Sequence, residues 1–327
     1  MQILFTGINS PRSRDSSSLS GIAKVAHLLG HKICWNLADE PDLLICLDYH
    51  PRFNQTLKKA KGLGVPIVLI KQEPPAIIPQ HRLMNPGNFF DKVVTKGSSK
   101  EDYVFNCLLS WDTSFIRNPQ RIERVIAVSA DKWSFVSGEL YSLRLRAYSE
   151  DSRIDLYGNG WSQSTTKRLI SRVKSLYVAL TAGEVSGLNN LRIAFRKPLH
   201  YLGPVVDKLQ AVSKYKVSLV IENDMSAMSE KLVDTILSGT IPVYVGPPVE
   251  PFGIPTDLVV QAQPEISDVF NAITRALASD SEAYRHKANI WAESRASRVN
   301  WDPNEVDHRL MFHVITWYQE FVKTTRK

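Results

Sequence analysis

Residues Tyr215–Pro248 read YKVSLVIENDMSAMSEKLVDTILSGTIPVYVGPP, and the order of residue types in this stretch decides the fold class. Val217–Ile221 is a short apolar run with a polar cluster behind it, the pattern of a strand buried in a parallel sheet. Glu222, Asn223 and Asp224 supply that polar cluster. Ser229 is placed as the N-cap of a helix carrying Leu232, Val233, Ile236 and Leu237. Gly239 ends the helix, Ile241–Val245 forms a second β-branched strand, and Gly246-Pro247-Pro248 stops it. The unit is strand–loop–helix–strand, with its polar residues at a strand's carboxyl end, where open α/β sheets bind ligands. Lys231 falls in the first helical turn, where free N–H groups and the helix dipole already favour an anion. A cation opposes that dipole. A bound phosphate accounts for it, and so does a surface pair with Glu230.

Working outward, the same alternation recurs on both sides. Upstream, strands are expected at Gln2–Thr6, Ile33–Trp35, Leu43–Leu47, Pro66–Ile70 and Lys92–Thr95, with helices near residues 19–29 and 54–63. This half carries no G-x-G-x-x-G and no Walker sequence, so it announces no dinucleotide or ATP site of its own. Lys71-Gln72-Glu73-Pro74-Pro75 follows its fourth strand directly. Residues 117–124 read as a crossing into a second sheet that opens at Val125–Val128. Ser142–Tyr148 is expected to be helical, and Ile154–Tyr157 a strand ended by Gly158-Asn159-Gly160. Thr166–Leu180 is amphipathic, with Leu169, Val173, Leu176 and Leu180 expected inward and Lys167, Arg168, Arg172 and Lys174 expected on a solvated face. A last strand is expected at Leu258–Val260, then helices near 265–277 and 282–293. Asp302, Pro303 and Glu305 form the start signal of a C-terminal helix with Val306, Leu310, Val314, Trp317 and Phe321 as its apolar stripe. The expected fold class is α/β with two Rossmann-like domains facing a central cleft. Residues 1–122 are expected to form the first domain, 123–300 the second, and 301–327 a helix returning to the first.

Composition narrows the partners. The 327 residues are 43% hydrophobic and 22% charged, an ordinary globular balance, with a net charge of +7. That charge suits nucleotide phosphates or an anionic membrane surface. It is diffuse, with no basic–aromatic interleaving, and nucleic acid is excluded as a partner. Cys34, Cys46 and Cys107 are an odd number at unpatterned spacing in apolar settings, which reads as buried free thiols. The opening MQILFTG reads as a first strand rather than a signal sequence, so the expected compartment is the cytoplasm, with contact at the membrane inner face left open.

Within the central stretch and its surroundings, an ordered set of motifs resembles the α-1,3-fucosyltransferase family. The set comprises Tyr215-Lys216, Glu222-Asn223, Ser229-Glu230-Lys231-Leu232, Ile241-Pro242-Val243 and Gly246-Pro247. Asp155-Leu156-Tyr157-Gly158 and the segment Lys132–Arg144 add to it, and Glu73-Pro74 is the match in the first half. The spacer between Asn223 and Glu230 is about two residues shorter than in that family, with Met228 near the position of its missing Asp-Tyr. The resemblance implies a GT-B fold and inverting, metal-independent transfer from GDP-fucose to a glycan or lipid-linked glycan. No cofactor or metal is expected, and no Asp-x-Asp is present to hold one. Another nucleotide sugar, or a non-catalytic sugar-nucleotide or glycan-binding role, is the alternative.

Such chemistry asks for a neutralised diphosphate, an oriented donor and a base. Arg144 and Lys231 are the candidates for the diphosphate, one offering a planar fork and the other a point charge. Arg146 is the rival of Arg144. Glu230 is expected on the ribose hydroxyls, Asn223 on the sugar or diphosphate, and Glu222 behind them at the strand end. Tyr157 and Gly158 are expected to line the cleft. Glu73 is the candidate base, with Asp15, Asp48 and His81 in reserve. For Asn223 and its neighbours, capping of loop backbone is the competing role.

Overall fold

The apolar runs become the strands of two parallel sheets. The protein, seen in a computed structural model, is described for residues 1–8, 21–83, 89–96, 104–105, 111–117, 120–183, 185–186 and 190–325. Cys107 and Asp15 lie outside this set. Among the described residues the first sheet has six strands, β1 Gln2–Gly7, β2 Lys32–Cys34, β3 Leu43–Leu47, β4 Ile67–Lys71, β5 Lys92–Lys96 and β6 Val104–Phe105. Their order is β2-β1-β3-β4-β5-β6, all parallel. The second sheet holds β7 Ile122–Val128, β8 Ile154–Tyr157, β9 Tyr201–Gly203, β10 Tyr215–Ile221, β11 Ile241–Val245 and β12 Val260–Gln261. Its order is β12-β11-β10-β7-β8-β9, again all parallel. Counted from β7, that is the 3-2-1-4-5-6 winding of a dinucleotide-binding sheet.

Helices cover both faces, as parallel sheets require. Between the strands of the first sheet run α1 Gly21–Leu28, α2 Asn54–Gly62 and α3 Gln80–Leu83. The second half carries α4 Tyr141–Glu150, α5 Thr165–Thr181, α6 Leu191–Ala194, α7 Lys208–Val212, α8 Lys231–Leu237, α9 Ile266–Ala278, α10 Ser281–Glu293 and α11 Arg295–Trp301. The chain then runs into α12 Pro303–Thr325.

Alternation along the strands of the first sheet splits its core in two. Ile3, Phe5, Leu43, Ile45, Leu47, Val68 and Ile70 pack on α1 together with Val306, Leu310, Met311 and Val314 of α12. Leu4, Leu44, Cys46, Ile67 and Leu69 pack on Leu57 and Ala60 of α2. The C-terminal helix therefore returns to the first half, and its apolar stripe completes that half's core. Cys34 and Cys46 are buried free thiols, as expected. The last strand is shifted to β12, because Thr256–Leu258 forms a single 3₁₀ turn instead.

One expectation is reversed in part: Leu176 packs inward and Lys167 and Lys174 stay exposed as expected, but the other residues assigned to the two faces of α5 change places. On α5, Arg168 and Arg172 are 4% and 2% exposed, whereas Leu169, Val173 and Leu180 stand open to solvent. The reason is Asp131, buried in the loop after β7. Its carboxylate accepts from Arg168 Nε at 2.8 Å and from Arg172 Nη2. Arg168 also donates to the Arg196 carbonyl at 3.1 Å, and Arg172 sits over the Trp133 ring. One turn apart, the two arginines lie on one face, and a buried carboxylate draws that face inward. Among the described residues no helix is long and apolar enough to cross a membrane.

Candidate active site

The winding of the second sheet reverses between β7 and β10, leaving a crevice beyond their carboxyl ends. A cavity of about 360 Å³ lies there, a size usual for small-molecule sites. Val128, Ser129 and Ala130 after β7 form one wall, Gly158 and Asn159 after β8 a second, and Glu222 and Asn223 after β10 a third. The first half closes the cavity with Gln72, Glu73, Pro74 and Ile77 after β4.

Arg144 reaches the cavity from α4. Its Nε donates to the Ile221 carbonyl at 2.8 Å and its Nη2 to Asn223 Oδ1 at 2.9 Å. Its guanidinium lies 4.8 Å from the centre of the Tyr141 ring, a cation–π contact that fixes its plane. Arg146 instead pairs with Glu150 on the outer face of the helix, at 3.4 Å.

Lys231 opens α8. Its backbone N–H and its Nζ both reach Ser229 Oγ, at 3.4 and 3.5 Å. The helix begins one residue later than the Ser229 cap implies, with Glu230 at the cap position. Burial, and then the neighbouring Arg144 guanidinium, push the Lys231 ammonium down to about 8. Two cations held together in a partly dry crevice are an arrangement that an anion relieves.

Glu222 is fully buried beneath this pair. Its Oε1 accepts from the Ser229 N–H at 2.9 Å, whereas Oε2 has no partner among the described residues. The backbone at Gly246 passes so close that a Cβ there would sit 2.7 Å from Glu222 Cγ and 2.3 Å from the Tyr244 hydroxyl. Glu230 also lines the cavity, 3.6 Å from Lys208 Nζ. Lys208 was not picked out from sequence, because nothing around it in the short helix α7 marks it. Burial disfavours its charge, but Asp234 at 2.6 Å and Glu230 outweigh that and raise its pKa. Lys132 lines the cavity as well.

Gly158 and Tyr157 part company. A Cβ at Gly158 would meet the Ser129 carbonyl oxygen at 1.9 Å, and its φ is +137°, so only glycine lets these two walls meet. Tyr157 turns its ring away from the cavity onto Tyr215, with the two hydroxyls 3.5 Å apart. Asp155, two residues earlier and so on the same face of β8, accepts from the Tyr215 hydroxyl at 3.1 Å. Tyr157 is thereby corrected from a cleft-lining residue to a packing residue of the sheet.

Glu73 faces the cations from the first half, and its turn is held from behind. Asp48 is buried with a φ of +58°, a left-handed conformation that aspartate tolerates. Its Oδ1 accepts from the N–H groups of Gln72 and Glu73, at 2.7 and 3.1 Å. His81 Nε2 accepts from the Tyr49 N–H at 3.2 Å, so the ring proton sits on Nδ1 and donates to the Glu73 carbonyl at 2.9 Å. Burial pushes His81 down to about 4, and the ring is neutral. Asp48 and His81 are spent on backbone and support Glu73 rather than replace it. The same loop is tied to the second half, where Ala76 N–H donates to Asp224 Oδ2 at 3.1 Å.

Of the residues selected from sequence, the structure brings Glu73, Arg144, Gly158, Glu222, Asn223, Glu230 and Lys231 to one cavity and leaves Tyr157 outside it. Solved structures superpose over nearly the whole chain. A crystal structure of an α1,3-fucosyltransferase superposes with a TM-score of 0.53 over 98% of this chain and 90% of its own, at 12% identity. Anabaena HepE, in complex with UDP and glucose, superposes with a TM-score of 0.57 over 97% of this chain and all of its own, also at 12% identity. This chain has the GT-B glycosyltransferase fold. A trehalose 6-phosphate synthase from Burkholderia multivorans shares the GT-B fold too, with a TM-score of 0.53 at 14% identity over 94% of this chain and 76% of its own. At such identities the likeness is one of fold alone. No family model matches the sequence, and no curated protein matches it.

Proposed function

We propose that the protein is an inverting glycosyltransferase that moves a sugar, fucose in the leading reading, from a GDP-sugar to a hydroxyl of a glycan or lipid-linked glycan. The observation that carries this is the pair Arg144 and Lys231 at the switch point of a GT-B sheet, with Glu73 facing it across the cleft. The second half, residues 123–300, holds the donor. The first, residues 1–122 with 301–327 packed back on it, presents the acceptor. Arg144 and Lys231 take the charge that builds on the diphosphate as the sugar–oxygen bond breaks. Asn223, held by Arg144, orients the donor, and Glu230 accepts from ribose hydroxyls. Glu73 takes the proton of the acceptor hydroxyl as its oxygen attacks from the opposite side. With two cations supplied by the chain, no metal is required by this scheme. A UDP-sugar is the second reading, favoured by the UDP and glucose of the HepE complex.

Thermal shift decides between them. GDP is expected to stabilise the protein more than UDP or ADP, by about 2.7 kcal/mol at a hundredfold excess over its dissociation constant. EDTA is expected to leave that shift and the transfer rate unchanged. A UDP preference would transfer the assignment to the second reading, and a strict metal requirement would remove the two-cation scheme.

Lys231→Ala is expected to weaken GDP binding about ten- to a hundredfold, the worth of one charge-assisted hydrogen bond of roughly 1.5–3 kcal/mol. The free ammonium loses its proton near pH 8, so GDP affinity is expected to fall as pH rises above about 8, by at most about tenfold per unit. Below that pH the ammonium is already charged and the curve is flat for this group. Calorimetric titrations from pH 7 to 9.5 test both statements. Wild-type affinity in the alanine variant, or no fall in affinity above pH 8, removes Lys231 from the diphosphate site.

A further inference from the structure

The reversed helix α5 leaves an unusual surface. Leu169, Ile170, Val173, Tyr177 and Leu180 recur at helical spacing and form one continuous exposed stripe, with Val173 56% and Tyr177 67% open. Exposed apolar residues scattered singly need no explanation, but a contiguous stripe does. Lys167 and Lys174 rim it, both exposed, and α5 contains no acidic residue. The buried Arg168 and Arg172 pin residues 194–196 alongside, through the carbonyls of Ala194 and Arg196. That neighbouring stretch exposes Leu191 and Phe195, with Arg192 and Lys197 between and beyond them.

We propose that this face seats the protein on an anionic lipid bilayer. An apolar stripe rimmed by lysines lies in the plane of a membrane interface, its apolar side among the acyl chains and its cations at the lipid headgroups. The charge selects the occupant, since every charged residue of α5 is basic and Asp131 offsets only one of the two inward arginine charges. A neutral protein partner has no use for that rim. The anchoring network also orients the face rigidly, because Asp131 belongs to the loop that forms the cavity wall at Ser129 and Lys132.

A second groove lies between the cavity and the flank of α5. It runs from Ile77 and Lys132, which also line the cavity, past Trp133 to Lys174 and Val178 of α5. Seated on a bilayer, the protein opens this groove at the lipid surface, and a lipid-linked acceptor reaches the cleft without leaving the membrane. This consequence for the acceptor rests on the transferase reading; the vesicle binding does not.

Flotation with phosphatidylcholine vesicles, with and without phosphatidylglycerol, tests the docking on the full chain. Binding to the anionic vesicles is expected to exceed binding to the neutral ones by roughly tenfold or more and to weaken with salt. The double variant Val173→Asp/Tyr177→Asp places charge on open positions, so its melting temperature is expected to hold while flotation falls to background. Lys167→Glu/Lys174→Glu is expected to lose the preference for anionic lipid. Three outcomes overturn the proposal: no flotation of the wild type, unchanged flotation of the Val173/Tyr177 variant, or a dimer in sedimentation that this variant dissociates without any vesicle binding. GDP binding and transfer to a water-soluble acceptor, measured on the same variants, report separately on the transferase reading.

Discussion

Glu73→Gln is expected to leave GDP affinity near the wild-type value and to cut sugar transfer by about 10²–10⁴-fold, the usual worth of a positioned base. The substitution isolates basicity because the turn does not depend on the carboxylate. Asp48 holds the N–H groups of Gln72 and Glu73, and His81 holds the Glu73 carbonyl, so the backbone keeps its place whichever side chain it carries. The donor side of the cavity is built by the other half and touches Glu73 only across the cleft. Single-turnover rates with GDP-fucose, set beside dissociation constants for GDP, separate the two effects. A variant that transfers at the wild-type rate would remove Glu73 from the chemistry. Asp48 and His81 are poor substitutes, since one is fully buried on backbone donors and the other has both ring nitrogens engaged.

Asp131→Ala is expected to cost about 3–5 kcal/mol of folding stability, the penalty for stripping one partner from a buried ion pair. Here one carboxylate serves two guanidinium groups, each at most 4% exposed, and both would be stranded. Arg172 starts with a disfavoured charge, since burial outweighs Asp131 and lowers its pKa. The triple replacement of Asp131, Arg168 and Arg172 by apolar residues of similar volume is expected to recover most of the loss, because buried triads are often matched by hydrophobic packing. Urea unfolding measures both. A cost under about 1 kcal/mol for Asp131→Ala would mean that the arginines swing out to water and that α5 turns over.

Much of this was readable in advance, for a physical reason. A strand buried on both faces is apolar almost throughout, so β3, β11 and β4 up to Lys71 stand out as runs, and β10 is interrupted only at Lys216 and Ser218. Polar residues clustered just after such a run have few places to go except the ligand crevice, which marks Glu73, Glu222 and Asn223, while Lys231 is marked as a cation standing against the dipole of a helix's first turn. The orientation of α5 was hidden because its two candidate faces are both plausible, one apolar and one basic. The choice is made by Asp131, far back in the chain and without local signature. Tyr157 was misplaced although the alternation of β8 carried the correction. Asp155 and Tyr157 share a face, and Tyr215 is the phenol that both of them meet.

The return of α12 to the first half has a consequence for synthesis on the ribosome. A nascent chain usually folds its leading domain while the rest is still being made. Here the leading domain, residues 1–122, lacks Val306, Leu310, Met311 and Val314 of its core until the chain has grown past residue 314. Until then Ile22, Val25 and Ala26 of α1 have an open flank. The second half, whose core includes none of the described residues of α12, is free to settle first. The order of folding thus runs against the order of translation, and the unfinished amino-terminal half is the natural client of a holding chaperone. A nascent chain stalled after residue 300 should bind a hydrophobic dye through its first half, and one stalled after α12 has cleared the exit tunnel should not.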